Sequence, residues 1–133
     1  MAGRRAPTWL SRIVVDAVHT DQLRTHGGMA GLRDENALES ALARPRNKWS
    51  YNPHASLATL AAAYGFGLVK NHPYRDGNKR VGFLATVTFL ELNGYELVAR
   101  EPEMLTVMLA LADGRLSEDK LAEWIQQRIN RIK

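Results

Sequence analysis

Nine consecutive residues, His72-Pro73-Tyr74-Arg75-Asp76-Gly77-Asn78-Lys79-Arg80, bring together an imidazole, a carboxylate, an amide, an ammonium and two guanidiniums. The chain on either side is uncharged, from Ala55 to Val69 and again from Val81 to Leu90. Burying charge is costly, so such a cluster between apolar segments must open to a cleft or meet a compensating ligand. Gly77 followed by Asn78, Lys79 and Arg80 at the start of a helix makes an anion site. Free backbone amides, the positive end of the helix dipole and two cations all act in one direction there. A polyphosphate brings Mg²⁺, which takes only one or two carboxylates from a protein, and Asp76 is the only carboxylate in the run. His72 is then left for proton transfer, since histidine titrates near neutral pH. A base, a metal carboxylate and a phosphate cradle are the parts needed to move a group from a nucleotide to a hydroxyl.

Each residue also has a plainer reading. Asp76 or Asn78 caps the following helix, Lys79 and Arg80 form a solvated helix start, and His72 is a turn residue bonded to backbone. The density of charge between two apolar segments favours a site.

The elements that must position this loop follow from periodicity. Leu57, Leu60, Ala61, Tyr64 and Leu68 recur at helical spacing and predict a central buried helix. It stops near Asn71, because Pro73 disfavours helical geometry at the residue before it. Leu84, Ala85, Thr88 and Leu92, with Phe83, Val87 and Leu90, predict a second buried helix beginning around Asp76 to Asn78. Upstream, Ser11 caps a first helix with Leu10, Val14, Ala17 and Val18 inside. His19 falls between Val15 and Leu23 as a packed or edge histidine, and Gly27 supplies the stop, with His26 in the last turn. Asp34 caps a short second helix carrying Leu38, Ala41 and Leu42, and Pro45 is expected to end it. Residues 46–53 are then an exposed loop or irregular hairpin; His54 carries no signal of its own.

Downstream, Asn93-Gly94 ends the second buried helix and residues 95–98 form an extended link. Pro102 suits the first turn of a fifth helix with Met104, Leu105, Met108 and Leu111 inside. Ser117 caps a last helix whose stripe is Leu121, Trp124, Ile125 and Ile129, with Arg128, Arg131 and Lys133 towards its C-terminal end. The expected fold is all-α, about six helices around a central buried pair, with little strand beyond a short flap.

The chain of 133 residues is expected to be one domain, 1–133, with 45% hydrophobic residues sufficient for a real core. A formal charge of +4 suits phosphates or an acidic partner. It is spread along the chain, so no direct nucleic-acid binding is expected. Absence of cysteine excludes disulfides and thiolate metal sites and fits a reducing, cytoplasmic setting. No signal peptide is visible, and the apolar segments are too short to span a bilayer, so no membrane partner is expected. Residues 1–7 are expected to be a small basic arm with Arg4 and Arg5 solvated.

The nine-residue run resembles the signature of the Fic/Doc superfamily: His, any residue, an aromatic, any residue, an acid, Gly or Ala, Asn, Gly or Lys, Arg. Tyr74 stands where Phe is commoner. The upstream run from Gly27 to Asp34, and Leu38 to Pro45, resemble the death-on-curing (Doc) branch. Fic proteins that transfer AMP usually have Gly at the position of Lys79, and a second Arg where this chain has Phe83. The resemblance to the Doc branch therefore implies a kinase offering the γ-phosphate of Mg-ATP to a threonine hydroxyl of elongation factor Tu, which halts translation. It implies His72 as the base, Asp76 on Mg²⁺, and Gly77, Asn78, Lys79 and Arg80 on the phosphates. It also implies a target-docking flap at Lys48, Trp49, Ser50 and Tyr51 that adds a strand of the target; the alternative is a surface loop with Trp49 tucked into the core. A Phd-like antitoxin acting in trans completes the implied system, since no self-inhibiting segment of Ser or Thr, three residues, then Glu with Gly or Asn is present. Two alternatives remain. One is AMP transfer at the same site. The other is a non-enzymatic phosphate or nucleic-acid binder, betrayed by a log-linear salt dependence without Mg²⁺.

Overall fold

The computed structural model describes residues 5–133, so Arg4 of the expected basic arm lies outside the described residues. The elements run α1 (Arg12–His26), α2 (Glu35–Tyr51), α3 (Leu57–Asn71), α4 (Asn78–Leu92), β1 (Tyr95–Leu97), α5 (Glu101–Ala112), α6 (Glu118–Gln126) and β2 (Ile129–Arg131). The fold is all-α apart from one two-stranded sheet. Four helices start on a side chain that accepts a backbone N–H: Ser11, Asp34, Ser56 and Ser117. Such caps satisfy amides that have no intrahelical partner.

The centre is the antiparallel pair α3 and α4. Tyr64, Leu60, Leu68, Phe89 and Leu90 are fully buried between the other helices. Two glycines let the backbones approach. A Cβ on Gly65 would lie 2.7 Å from the Thr86 hydroxyl, and one on Gly82 would lie 2.7 Å from Val69 Cγ2 and 3.2 Å from the Gly65 carbonyl. The buried Thr86 hydroxyl returns its proton to the Gly82 carbonyl at 2.8 Å. The connection between these two helices is the charged loop, so their spacing sets the geometry of the candidate site.

Three expectations are corrected. Pro45 does not end α2; the helix passes through it to Tyr51, and the expected flap residues Lys48, Trp49, Ser50 and Tyr51 are helical. A proline inside a helix removes one hydrogen bond and crowds the preceding turn. Contacts distant in sequence outweigh that penalty here. Pro45 is itself buried, Arg44 and Lys48 both pair with Glu118, and Trp49 packs edge-on to Trp9. The last helix is shorter than its stripe suggested: α6 ends at Gln126, and Ile129 lies in β2 opposite Leu97. The expected link at 95–98 is thereby the first strand of a real sheet. Finally, Ala17 and Leu92 are exposed, and the buried face of α1 is Val15 and His19. No helix among the described residues is long and apolar enough to cross a membrane.

Candidate active site

The loop between α3 and α4 is held from three sides. His72 closes α3 in the left-handed conformation (φ 51°, ψ 54°), and among the described residues it is the only non-glycine with positive φ. That conformation costs energy for an L residue and must be held by its surroundings. Arg33 does so, donating from Nε to the His72 carbonyl at 2.6 Å and from Nη2 to the Asn71 carbonyl at 2.8 Å. The C-terminal carbonyls of α3 thus find a partner outside their own helix. The backbone of residues 31–34 is stitched along the loop by Arg33 N–H to the Pro73 carbonyl (2.7 Å) and Arg75 N–H to the Gly31 carbonyl (3.0 Å).

Beneath the loop lies α1. Tyr74 is buried, donates its hydroxyl to Asp16 at 2.7 Å, and stacks on His19 at 3.8 Å between ring centroids. Burial, then the neighbouring Asp16 carboxylate, raise the Tyr74 pKa well above its ordinary value, so it stays a neutral donor. His19 gives its Nε2 proton to the Asp76 carbonyl at 2.9 Å, since a carbonyl can only accept.

The functional groups project from this frame. Asp76 is exposed; its Oδ1 accepts the Gly77 N–H at 2.9 Å and its Oδ2 the Met29 N–H at 3.2 Å. Gly77 precedes α4 with φ 80° and contributes no side-chain cap, so the amides of the first turn stay open to an anion. Lys79 is exposed beside them. Arg80 is half-buried, with its Nη1 3.4 Å from His26 Nε2 and 3.9 Å from Glu101. Glu101 is itself well exposed, and an ion pair of that kind is too weak to hold Arg80 against a phosphate. A cleft of about 240 Å³ is lined by Gly28, Asp76, Gly77 and Arg80. Gly28 has φ +122°, and a Cβ there would lie 2.9 Å from Asp76 Oδ2, so only glycine fits against the carboxylate.

The model of the Fic/DOC family matches residues 9–90, more than half of the chain. The chain belongs to the Fic/DOC family. It is 25% identical over 111 residues to the protein kinase Doc of Escherichia phage P1, covering 84% of this chain and 87% of that protein. It is also 39% identical over 74 residues to the toxin Doc of Mycolicibacterium smegmatis, covering 55% of this chain and 57% of that protein. Among solved structures, the BepC protein of Bartonella tribocorum, crystallised with AMPPNP, shares the fold. The TM-score is 0.51 and the identity 17%, covering 81% of this chain and 55% of that one, so this chain spans about half the BepC chain.

Within this Fic/DOC fold, His72, Asp76, Gly77, Lys79 and Arg80 gather on one loop and the helix end that follows it. Asn78 is there too, but its side chain is buried and fully used inside the loop. Its Oδ1 accepts the Tyr74 N–H at 3.0 Å, and its Nδ2 donates to the Tyr74 carbonyl at 2.9 Å and to His72 Nδ1 at 2.8 Å. Only the backbone N–H of Asn78 is left for a phosphate. The residues expected in a flap lie elsewhere. Lys48 and Tyr51 line a cavity of about 540 Å³, together with Thr59 near the start of α3. At 1.5 Å per residue this is roughly 20 Å along α3 from His72. The backbone that covers the loop belongs to residues 27–34 instead.

Sequence reasoning missed Arg33, Asp16 and the Nε2 donor of His19. The glycines at 27, 28 and 31 were the available signal, since a glycine-rich run permits close backbone approach.

Asp76 fits Mg²⁺ of one kind only. No group of three or more His, Cys, Asp or Glu among the described residues could hold a metal alone. A single exposed carboxylate beside open helix amides suits an ion that arrives with a polyphosphate and keeps water for its remaining ligands.

Proposed function

We propose that this protein transfers the γ-phosphate of Mg-ATP to a hydroxyl of a protein substrate. The observation that carries the reading is the uncapped start of α4, flanked by Lys79 and Arg80, directly after a loop presenting His72 and Asp76. The amides of residues 78–80 and the two cations bind phosphate oxygens, where charge accumulates during transfer, while the Gly77 N–H is already given to Asp76 Oδ1. Asp76 would hold Mg²⁺, which neutralises phosphate charge. The substrate oxygen bonds to phosphorus as the bond to the departing ADP breaks, and the hydroxyl proton passes to His72. Lys79 and the buried Phe83 favour γ-phosphate over AMP transfer: Lys79 brings bulk and charge, and Phe83 leaves no cation one turn beyond Arg80.

The similarity to a protein kinase and a toxin of the Doc type supports this choice. On the same basis the substrate is a threonine of elongation factor Tu, the setting is the cytoplasm, and the restraining partner is a Phd-like antitoxin in trans. The target is proposed to dock against residues 27–34, which border the loop, rather than at residues 48–51.

The test uses ATP labelled at the γ- or the α-phosphate, Mg²⁺ and purified elongation factor Tu, with whole extract as a second acceptor. Label should move from the γ position only, and His72→Ala should slow it by about 10²–10⁴-fold. Transfer from the α position would replace the kinase with an AMP transferase. Transfer from neither would leave a binding module.

A further inference from the structure

Asn78 decides which nitrogen of His72 carries the proton. Its amide cannot be turned round, because it faces both backbone groups of Tyr74: an N–H that can only donate, at Oδ1, and a carbonyl that can only accept, at Nδ2. The remaining hydrogen of Nδ2 points at His72 Nδ1, 2.8 Å away. Two donors cannot face each other at that distance, so Nδ1 is the acceptor and the neutral imidazole carries its proton on Nε2.

We infer that Asn78 is a positioning residue that holds resting His72 in the Nε2–H tautomer, and that His72 takes up a proton only at Nδ1, after its bond to Asn78 has opened. A neutral imidazole protonated at Nε2 has no lone pair there to receive a proton; its only basic atom is the one Asn78 covers. At rest the outward nitrogen is a hydrogen-bond donor, suited to a hydroxyl or phosphate oxygen.

The two partners differ in freedom. Asn78 is buried and fixed by Tyr74, whereas the His72 side chain is exposed. Arg33 fixes the backbone of His72 and leaves its ring free to turn. A half-turn about Cβ–Cγ exchanges Nδ1 with Cδ2 and uncovers the lone pair. It leaves one N–H of the buried Asn78 amide without its partner, which lowers the population of the turned ring by roughly five- to 150-fold. In the turned state the substrate O–H breaks with its proton going to Nδ1. The oxygen bonds to the γ-phosphorus, and the bridging oxygen leaves with ADP. The imidazole is left protonated on both nitrogens.

The role of the lone pair in transfer rests on the kinase reading; the tautomer does not. The protein labelled with ¹⁵N-histidine is examined by NMR at a pH where the imidazoles are neutral, with the His72 signals identified by their loss in His72→Gln. His72 should show a protonated Nε2 and an unprotonated Nδ1. His19, which donates from Nε2 to the Asp76 carbonyl, is the internal reference for the same tautomer. In Asn78→Asp the new carboxylate accepts from Nδ1–H, so His72 should change tautomer while His19 keeps its own. A native His72 protonated at Nδ1 overturns the inference, as does an unchanged His72 in Asn78→Asp with His19 intact. If Asn78→Asp loses the His19 signature through misfolding, the native spectrum alone decides. A protein that shows the Nε2–H tautomer yet transfers no phosphate loses the proposed function and keeps this assignment.

Discussion

Gly82→Ala probes the spacing on which the site depends. Alanine is favoured over glycine inside a helix by about 1 kcal/mol, so local propensity alone predicts a stabilised α4. The structure predicts the reverse. The new methyl would sit 2.7 Å from Val69 Cγ2 and 3.2 Å from the Gly65 carbonyl. Neither neighbour yields easily, because Val69 is buried and β-branched, hence stiff at χ1, and the carbonyl belongs to the backbone of α3. Forcing a methyl into a packed core costs about 1–3 kcal/mol, so the net effect is a loss on the order of 1 kcal/mol. For a domain of this size that lowers Tm by about 2–8 °C. Circular dichroism melts with a urea titration measure it directly. Because α3 ends at Asn71, just before His72, and α4 begins with the amides proposed to bind phosphate, parting the helices should also weaken ATP binding. A Gly82→Ala protein that melts at or above the native Tm would show that the two helices are not in tight contact, and would remove the link drawn here between packing and site geometry.

Two further outcomes are expected. Burial raises the pKa of both Tyr64 and Tyr74, with Asp16 adding to the effect at Tyr74. The folded protein therefore holds these phenolic protons more tightly than the unfolded chain, whose tyrosines titrate near 10. Their contribution is fully present below that pH and is lost as pH rises above it towards the folded values. Urea unfolding between neutral and strongly alkaline pH should show the decline, and Tyr64→Phe with Tyr74→Phe should flatten it; identical slopes would refute the assignment. In Gly28→Ala the methyl would press on Asp76 Oδ2 at 2.9 Å from a backbone of φ +122°. Mg²⁺-dependent ATP affinity should fall about tenfold, equivalent to roughly 1.4 kcal/mol, by calorimetric titration. Unaltered affinity would separate Asp76 from the metal.

What the sequence made legible was what depends on neighbours along the chain. The uncharged runs on both sides of the loop, Pro73 two residues after Asn71, and the caps Ser11, Asp34 and Ser117 are all local signals, and the elements they announce are present. What stayed hidden depends on partners far away. Pro45 is a local stop signal, overridden by Glu118, which grips Arg44 and Lys48 from the start of α6. Ile129 continues the helical stripe of α6, yet it pairs with Leu97 because β1 offers an edge more than thirty residues upstream. The residues of the motif do lie together on one loop and the helix start after it, but the work of Asn78 was not legible, because its partners include the backbone atoms of Tyr74 and leave no trace in side-chain pattern.

The loop's shape is therefore not a property of the nine-residue run alone. The left-handed turn at His72 is held by Arg33, the Asp76 carbonyl by His19, the Asp76 carboxylate by the Met29 amide, and the Tyr74 hydroxyl by Asp16. All four supports come from α1 or from the segment that joins it to α2. Inside the run, Asn78 ties the start of α4 back to Tyr74 and His72. An exposed loop carrying like charges and one strained residue would otherwise sample many conformations, and ordering it would be charged against the binding of each nucleotide. Here the backbone amides, the carboxylate and the backbone of His72 are held before any ligand arrives. The ring of His72 is the one group of the set that the frame leaves able to turn, and the tautomer places the need for movement on that same ring.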